Sequence, residues 1–313
     1  MKKVSVLLST YNGEKYLREL LDSVLAQDTM DGELEITLFV RDDGSRDGTA
    51  EILREYAEKG LLIFANGNEE SVNIGFAKSF SYLINNAPVS DYYCFCDQDD
   101  VWLPKKISCA VTALEKEDDS LPLLYSTSLI VVDENLKEIT RETHLHLSKN
   151  SPTQFEENLL QNNTYGCTIV VNHRLKELYS TVPSEKIKYH DYVMTVIASG
   201  VGKFIFEENP QILYRQHGDN TVGFYKGSFK NIVRSVQFFF KNDLKNSKFQ
   251  NVVICKDYFY DMLPENYKTF VDMLVNYRTD KKKKKQLKKF IKKNIKNKFI
   301  KNYSLFLIRF NKF

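Results

Sequence analysis

With 313 residues, 42% of them hydrophobic and 13% aromatic, the chain has enough apolar material for a substantial folded core, which excludes a disordered segment. Its net charge of +3 hides an asymmetry: residues 281–313 hold 14 Lys or Arg and no acid, leaving 44 − 14 = 30 bases against 41 acids, a net of −11, in the first 280. No run of 18 apolar residues occurs, so no bilayer-spanning helix is expected, and the five cysteines (Cys94, Cys96, Cys109, Cys167, Cys255) lack metal-finger spacing and fit a reducing cytosol.

The opening apolar run is interrupted by Asn12, Glu14 and Lys15, so it reads as a strand, Val4 to Ser9, and not as a secretory leader. After "TYNGE", Tyr16, Leu17, Leu20, Leu21, Val24 and Leu25 recur at helical spacing. Leu34 to Val40 predicts a second strand that ends in "RDDGSRDGT", where Asp47 is placed to cap a helix through Tyr56. Leu61 to Ala65 predicts a third strand, Gly75 to Asn86 a helix, and Tyr92 to Cys96 a fourth strand. Pro104 suits the first turn of a helix carrying Ile107, Val111 and Leu114. Further strands are expected within Leu123 to Val132, at Thr168 to Val171, Lys203 to Phe206 and Ile212 to Tyr214, with a helix from about Asp191 to Ser199. From about Gly227 onward the pattern is helical.

Strands alternating with short helices imply βαβ units and a mainly parallel sheet flanked by helices, the α/β class. Ligands bind such sheets beyond the carboxyl ends of the strands. The polar clusters "TYNGE", "DDGS" and "DQDD" each follow a predicted strand, so topology should gather them at one edge.

Each cluster admits a structural reading beside a functional one. Asp97, Asp99 and Asp100 offer hard oxygen ligands for Mg²⁺ or Mn²⁺ and so a clamp for a nucleoside diphosphate, or they are a solvated turn. Asp42 and Asp43 can accept hydrogen bonds from a base or ribose beside the permissive Gly44, or form an ordinary Asp-Gly turn. Asn73, Gly75 and Lys78 lie where a loop enters a helix, an end that favours anions. Asp191, beside His190, serves either as a general base or as a helix cap. In "YRQHGDN", Arg215 can hold phosphate, His217 can complete a Mn²⁺ shell, and Asn220 lies close by.

The order of these pieces, "STYNGEKYL", "DDGSRDGT", "NIGFAKS", "DQDDVW", "YGCT", "HDYV" and "YRQHGDN", resembles the family 2 glycosyltransferases of the GT-A (nucleotide-diphospho-sugar transferase) fold. The likeness covers about residues 1–225, and the later motifs look closest to bacterial rhamnosyltransferase-like enzymes of cell-surface polysaccharide synthesis. It implies a catalytic domain at 1–226, followed by a helical extension at 227–280 and a basic amphipathic tail at 281–313. It implies a nucleotide-sugar donor, inversion at the anomeric carbon, and Mn²⁺ or Mg²⁺. By the resemblance Tyr11, Asn12 and Asp43 touch the nucleoside, with Asn73 and Lys78 nearby. Asp97 lies at the sugar and ribose, Asp99 ligates the metal, His217 approaches the metal or diphosphate, and Asp191 stands in the place of the catalytic base. The nucleotide-sugar site so implied also takes in Thr10, Glu14, Asp42, Gly75, Gln98, Trp102 and Arg215. The expected reaction is transfer of a sugar, with L-rhamnose from dTDP-rhamnose foremost, to a hydroxyl of a lipid-linked saccharide. The alternatives are a hexosyltransferase using UDP-glucose or UDP-galactose, and a non-catalytic nucleotide-sugar-binding partner subunit.

In the tail, Phe290, Ile291, Ile295, Phe299, Ile300, Tyr303, Phe306, Leu307 and Phe310 recur at helical spacing, with lysines on the other face. This is the pattern of a helix lying on anionic lipid. The apolar stripe argues against nucleic acid, and a merely solvated charged face is the plainer reading. The expected location is cytoplasmic, peripheral at the inner face of a bacterial cell membrane.

Overall fold

The computed structural model describes residues 1–68, 72–142, 153–218 and 242–313. Asn220 and the start of the expected extension, 227–241, lie outside the described residues.

The first strand, β1 (Lys2–Thr10), is buried on both faces, as its unbroken apolar sequence requires. It pairs in parallel with β2 (Leu34–Asp42) on one side and β4 (Tyr92–Asp97) on the other. The third strand, β3 (Ile63–Asn68), extends the parallel set beside β2. Beyond β4 come β9 (Val170–Asn172), antiparallel to it, then β6 (Leu123–Thr127) and β10 (Lys203–Glu207). The resulting seven-stranded order is β10-β6-β9-β4-β1-β2-β3.

Residues 123–132, which read as one apolar run, divide at Ser128 into β6 of this sheet and β7 (Leu129–Val132) of a second one. That four-stranded sheet has the order β5-β11-β7-β8, with β5 (Val101–Trp102), β8 (Glu138–Glu142) and β11 (Ile212–Arg215).

Side chains alternate across the main sheet and build a core on each face. Val4, Val6, Leu8, Cys94 and Cys96 pack with α1 (Glu14–Leu25), α2 (Thr49–Glu58) and α4 (Lys106–Leu114). Leu7, Tyr93 and Phe95 pack with α3 (Phe76–Asn86), α6 (His173–Ser180) and α7 (His190–Val201).

A third core joins α5 (Phe155–Leu160) and Tyr192 and Val196 of α7 to the C-terminal helices α8 (Asn242–Ile254), α9 (Glu265–Asn276), α10 (Lys281–Asn294) and α11 (Lys298–Arg309). The basic tail is therefore not one continuous amphipathic helix. It breaks at Ile295–Asn297, where Glu157 Oε1 accepts hydrogen bonds from the amides of Lys296 (2.8 Å) and Asn297 (3.0 Å) and the Asn297 side chain caps α11. Leu287, Ile291, Ile295, Ile300 and Leu307 are buried in the third core, whereas Phe299, Phe306 and Phe310 stay exposed. Among the described residues no helix is long and apolar enough to cross a membrane.

Candidate active site

Strand register aligns the polar clusters. Thr10 stands opposite Asp42 across β1 and β2, and Ser9 opposite Asp97 across β1 and β4. The carboxyl ends of these three parallel strands thus form one rim of a cleft of about 1150 Å³. Asn162, Tyr165, Gly166 and Asp191 line it elsewhere.

On the β1–β2 side the loops are clipped to each other. The Tyr11 amide donates to Gln98 Oε1 (2.7 Å), and Gln98 Nε2 donates to the Tyr11 carbonyl (2.9 Å). Any side chain at Gly13 would collide with Gln98, since its Cβ would fall 2.4 Å from Oε1. Asn12, at a positive φ of 50°, accepts from the Arg46 amide through Oδ1 (2.8 Å). Asp43 is buried, takes the Arg41 guanidinium, and accepts from the amides of Ile74 (2.9 Å) and Gly75 (2.8 Å), so it anchors the loop that presents Asn73. Thr10, Tyr11, Asn12, Asp43, Asn73, Gly75, Asp97, Gln98, Asp99, Asp191 and His217 all line the cleft.

Five of the residues assigned to the nucleotide sugar do not. Glu14 accepts from the Gly48 amide (2.7 Å) at the start of α2, and Asp42 accepts from the Thr10 hydroxyl (2.8 Å) and the Ser45 amide (2.9 Å). Both carboxylates serve loop structure. Lys78 is exposed on α3, outside the lining. Trp102 is buried in β5, with the Lys106 ammonium 4.1 Å from its ring centre. Arg215 turns inward at 2% exposure. Its guanidinium donates to the carbonyls of Asp99 (2.8 Å) and Glu134 (2.7 Å) and to Glu19, while its amide donates to Asp100 Oδ1 (3.1 Å). Arg215 braces the "DQDD" loop from behind and does not face a ligand.

The acids of that loop divide by depth. Asp97 reaches the cleft, and burial, followed by the charges of Asp99 and Asp191, pushes its pKa up to about 7. Asp100 lies wholly inside with Oδ2 unpartnered, and burial raises its pKa well above the carboxylate range. Asp99 Oδ2 lies 2.8 Å from His217 Nε2 at the cleft wall.

Two donor sets for a cation follow. Ligand atoms of Asp97, Asp100 and Cys167 come within 4.8 Å of one another, but burial holds the Cys167 thiol protonated, and a thiol is a poor partner for a hard cation. Asp99 and His217 supply an exposed-side carboxylate and an imidazole on adjoining elements, a set that suits Mn²⁺ or Mg²⁺ with diphosphate oxygens completing the shell.

Asp191 occupies the first turn of α7. Its Oδ2 accepts from Asn162 Nδ2 (2.9 Å) and its Oδ1 from the Tyr192 amide (2.8 Å). Burial raises its pKa to about 6 against the lowering effect of these bonds. A carboxylate so poised is ionised at neutral pH yet basic enough to take a proton.

Beside it, His190 is stacked between Phe80 and Phe95, each 4.5 Å away, with neither ring nitrogen hydrogen-bonded, and burial pushes its pKa down to about 3. It is a neutral packing group. Gly166 accommodates it, because a Cβ there would meet His190 Nε2 at 2.7 Å.

Sequence reasoning passed over Gln161, Asn162, Lys248 and Tyr303 of the lining. The polar run "QNNTYG" ahead of a strand was the available signal for the first two. Nothing in the helical pattern marked the others.

This arrangement defines a nucleotide-sugar transferase of the GT-A fold. Residues 5–175, more than half of the chain, match the family model described as glycosyl transferase family 2, and the chain belongs to that family. It is 29% identical over 225 residues to the dTDP-rhamnosyl transferase RfbG of Shigella flexneri, across 69% of this chain and 73% of that protein. S. aureus TarS 1-349 superposes with a TM-score of 0.58 at 17% identity, over 98% of this chain and 79% of that one. Glucosyl-3-phosphoglycerate synthase from Mycobacterium tuberculosis, in complex with Mn²⁺, UDP and phosphoglyceric acid, superposes at 0.50 with 14% identity, over 80% of this chain and 78% of its own.

Proposed function

We propose that the protein transfers a sugar, L-rhamnose from dTDP-rhamnose in the first instance, to a hydroxyl of a lipid-linked saccharide in bacterial surface polysaccharide synthesis, with inversion at the anomeric carbon. The observation that carries this reading is the placement of Asp191, ionisable near pH 6, in one cleft with Asp97 and Asp99 of the strand-end rim. The rhamnose assignment rests on the likeness to RfbG.

In this mechanism Tyr11, Asn12 and Asn73 hold the nucleoside at the β1–β2 rim. Asp97 orients the sugar. Asp191, held by Asn162 and the Tyr192 amide, faces the acceptor and takes the proton of the attacking hydroxyl, a contribution of roughly 10²–10⁴-fold. One in-line displacement needs one base, which matches a single carboxylate on that side. Asp99 and His217 would hold Mn²⁺ or Mg²⁺, the former present in the mycobacterial neighbour. Such an ion supplies charge stabilisation for the departing diphosphate.

The exposed Phe299, Phe306 and Phe310, set among the tail lysines, support docking on an anionic membrane surface, where a lipid-linked acceptor resides.

The test is a thermal-shift screen with dTDP, UDP and GDP, each with Mn²⁺, Mg²⁺ or EDTA, followed by a transfer assay with the nucleotide sugar of the best base. Stabilisation by dTDP that EDTA removes is expected. A preference for UDP moves the donor to a hexose, and no shift with any nucleotide overturns the reading.

A further inference from the structure

The cleft contains a cation that the reaction described above does not use. Lys248, on α8, is 4% exposed, yet it lines the cleft. Its ammonium donates to Gln161 Oε1 and stands 4.3 Å from the ring centre of Tyr303 on α11. Among the described residues no carboxylate pairs with it, so a buried positive charge is met only by a neutral amide and an aromatic face. Keeping an ammonium out of water without a counter-ion is costly. Gln161 is followed directly by Asn162, the residue that holds Asp191. Lys248 therefore belongs to the Asp191 side of the cleft, in a wall supplied by helices that follow the matched family region.

We propose that Lys248, Gln161 and Tyr303 form an acceptor subsite that binds an oxyanion, a phosphate or carboxylate group carried by the acceptor, next to the attacking hydroxyl. The proposal rests on the reading of Asp191 as the base that faces the acceptor. A bound oxyanion supplies the counter-charge that Lys248 lacks, and a charge-assisted bond in a site shielded from water is among the stronger polar contacts available. Burial alone pushes the Lys248 pKa down to about 7, as expected of an ammonium with no anion beside it. The ring of Tyr303 offers a flat wall for a sugar or alkyl portion of the same acceptor.

The experiment titrates inorganic phosphate and, separately, acetate into the full chain, saturated with whichever nucleoside diphosphate stabilises it, by calorimetry. Lys248→Met, close in shape, is the comparison. Wild type should bind one of the two anions with the nucleotide in place, and Lys248→Met should bind it roughly tenfold or more weakly, while nucleotide affinity stays within about twofold. Phosphate preference identifies a phosphorylated acceptor, and acetate preference a uronate or similar acid. A wild-type measurement stands beside the variant: the preferred anion should protect Lys248 from acylation by acetic anhydride, read by peptide mass spectrometry. Binding of neither anion, equal binding by both proteins, or labelling of Lys248 unchanged by the anion would each overturn the subsite. Failure of every nucleotide to bind would remove the donor reading instead, and labelling of the nucleotide-free protein still reports on Lys248.

Discussion

His217 Nε2 and Asp99 Oδ2 meet at 2.8 Å although 118 positions separate them, because β11 delivers the histidine to the loop that ends β4. Arg215, two residues earlier, fixes the same loop through the Asp99 carbonyl. If the pair holds a divalent cation, Asp99→Ala and His217→Ala should each lower turnover by about 10²–10³-fold and leave nucleotide stabilisation insensitive to EDTA. Thermal-shift curves with and without chelator check this. An EDTA response kept in both variants would move the cation to the Asp97, Asp100 and Cys167 set.

Asp191 gives a pH signature. Its folded pKa, about 6, lies above the unfolded carboxylate value, so between about pH 4 and 6 the native state binds more protons than the unfolded chain. Stability from this group is present at low pH and is lost as pH rises through 6. Asp191→Asn should flatten that slope and raise stability at pH 8 by about 1–2 kcal/mol, after allowance for partial exposure. In the same variant turnover should fall about 10²–10⁴-fold. Wild-type kcat/KM should climb with an apparent pKa near 6. Denaturant midpoints and pH–rate profiles measure both, and a fully active Asp191→Asn would remove the base assignment.

Arg215 separates a brace from a ligand. Arg215→Met leaves the carbonyls of Asp99 and Glu134 without their donor and should cost roughly 2–4 kcal/mol. The melting temperature should drop even with no nucleotide present. A variant of unchanged stability that no longer binds nucleotide would restore the direct phosphate contact that the sequence suggested.

The βαβ half of the molecule was legible because buried parallel strands and their helices carry strong periodicity, and because ligand clusters follow strand ends. Asp43, Asp97, Asp99 and Asp191 could be singled out on that basis. Arg215 and Trp102 were misplaced for a physical reason: a sequence names a residue as charged or aromatic but does not say which way it turns from a strand end. The division at Ser128 left no mark, since β6 and β7 are equally apolar and only tertiary pairing assigns them to different sheets. Lys248 was invisible, because a lysine in a helical stretch reads as solvated until packing shows it buried.

The tail tests how far an amphipathic pattern can mislead. Its stripe was read as one lipid-facing surface, but the break at Ile295–Asn297 folds the stripe into two sets of residues with different environments. Ile291 and Ile300 are buried against the body, and truncation of either to alanine should destabilise the whole protein by about 2–5 kcal/mol without requiring lipid. Phe306 and Phe310 remain about half exposed, at 48% and 53%, so Phe306→Ser with Phe310→Ser should leave the melting temperature within a degree or two. If that face docks on membrane, the double variant should weaken sedimentation with phosphatidylglycerol vesicles by roughly tenfold, since each buried aromatic contributes on the order of 1–2 kcal/mol of transfer energy. Vesicle binding equal to wild type would show that the exposed aromatics serve another purpose and that the lysines alone account for any attraction to lipid.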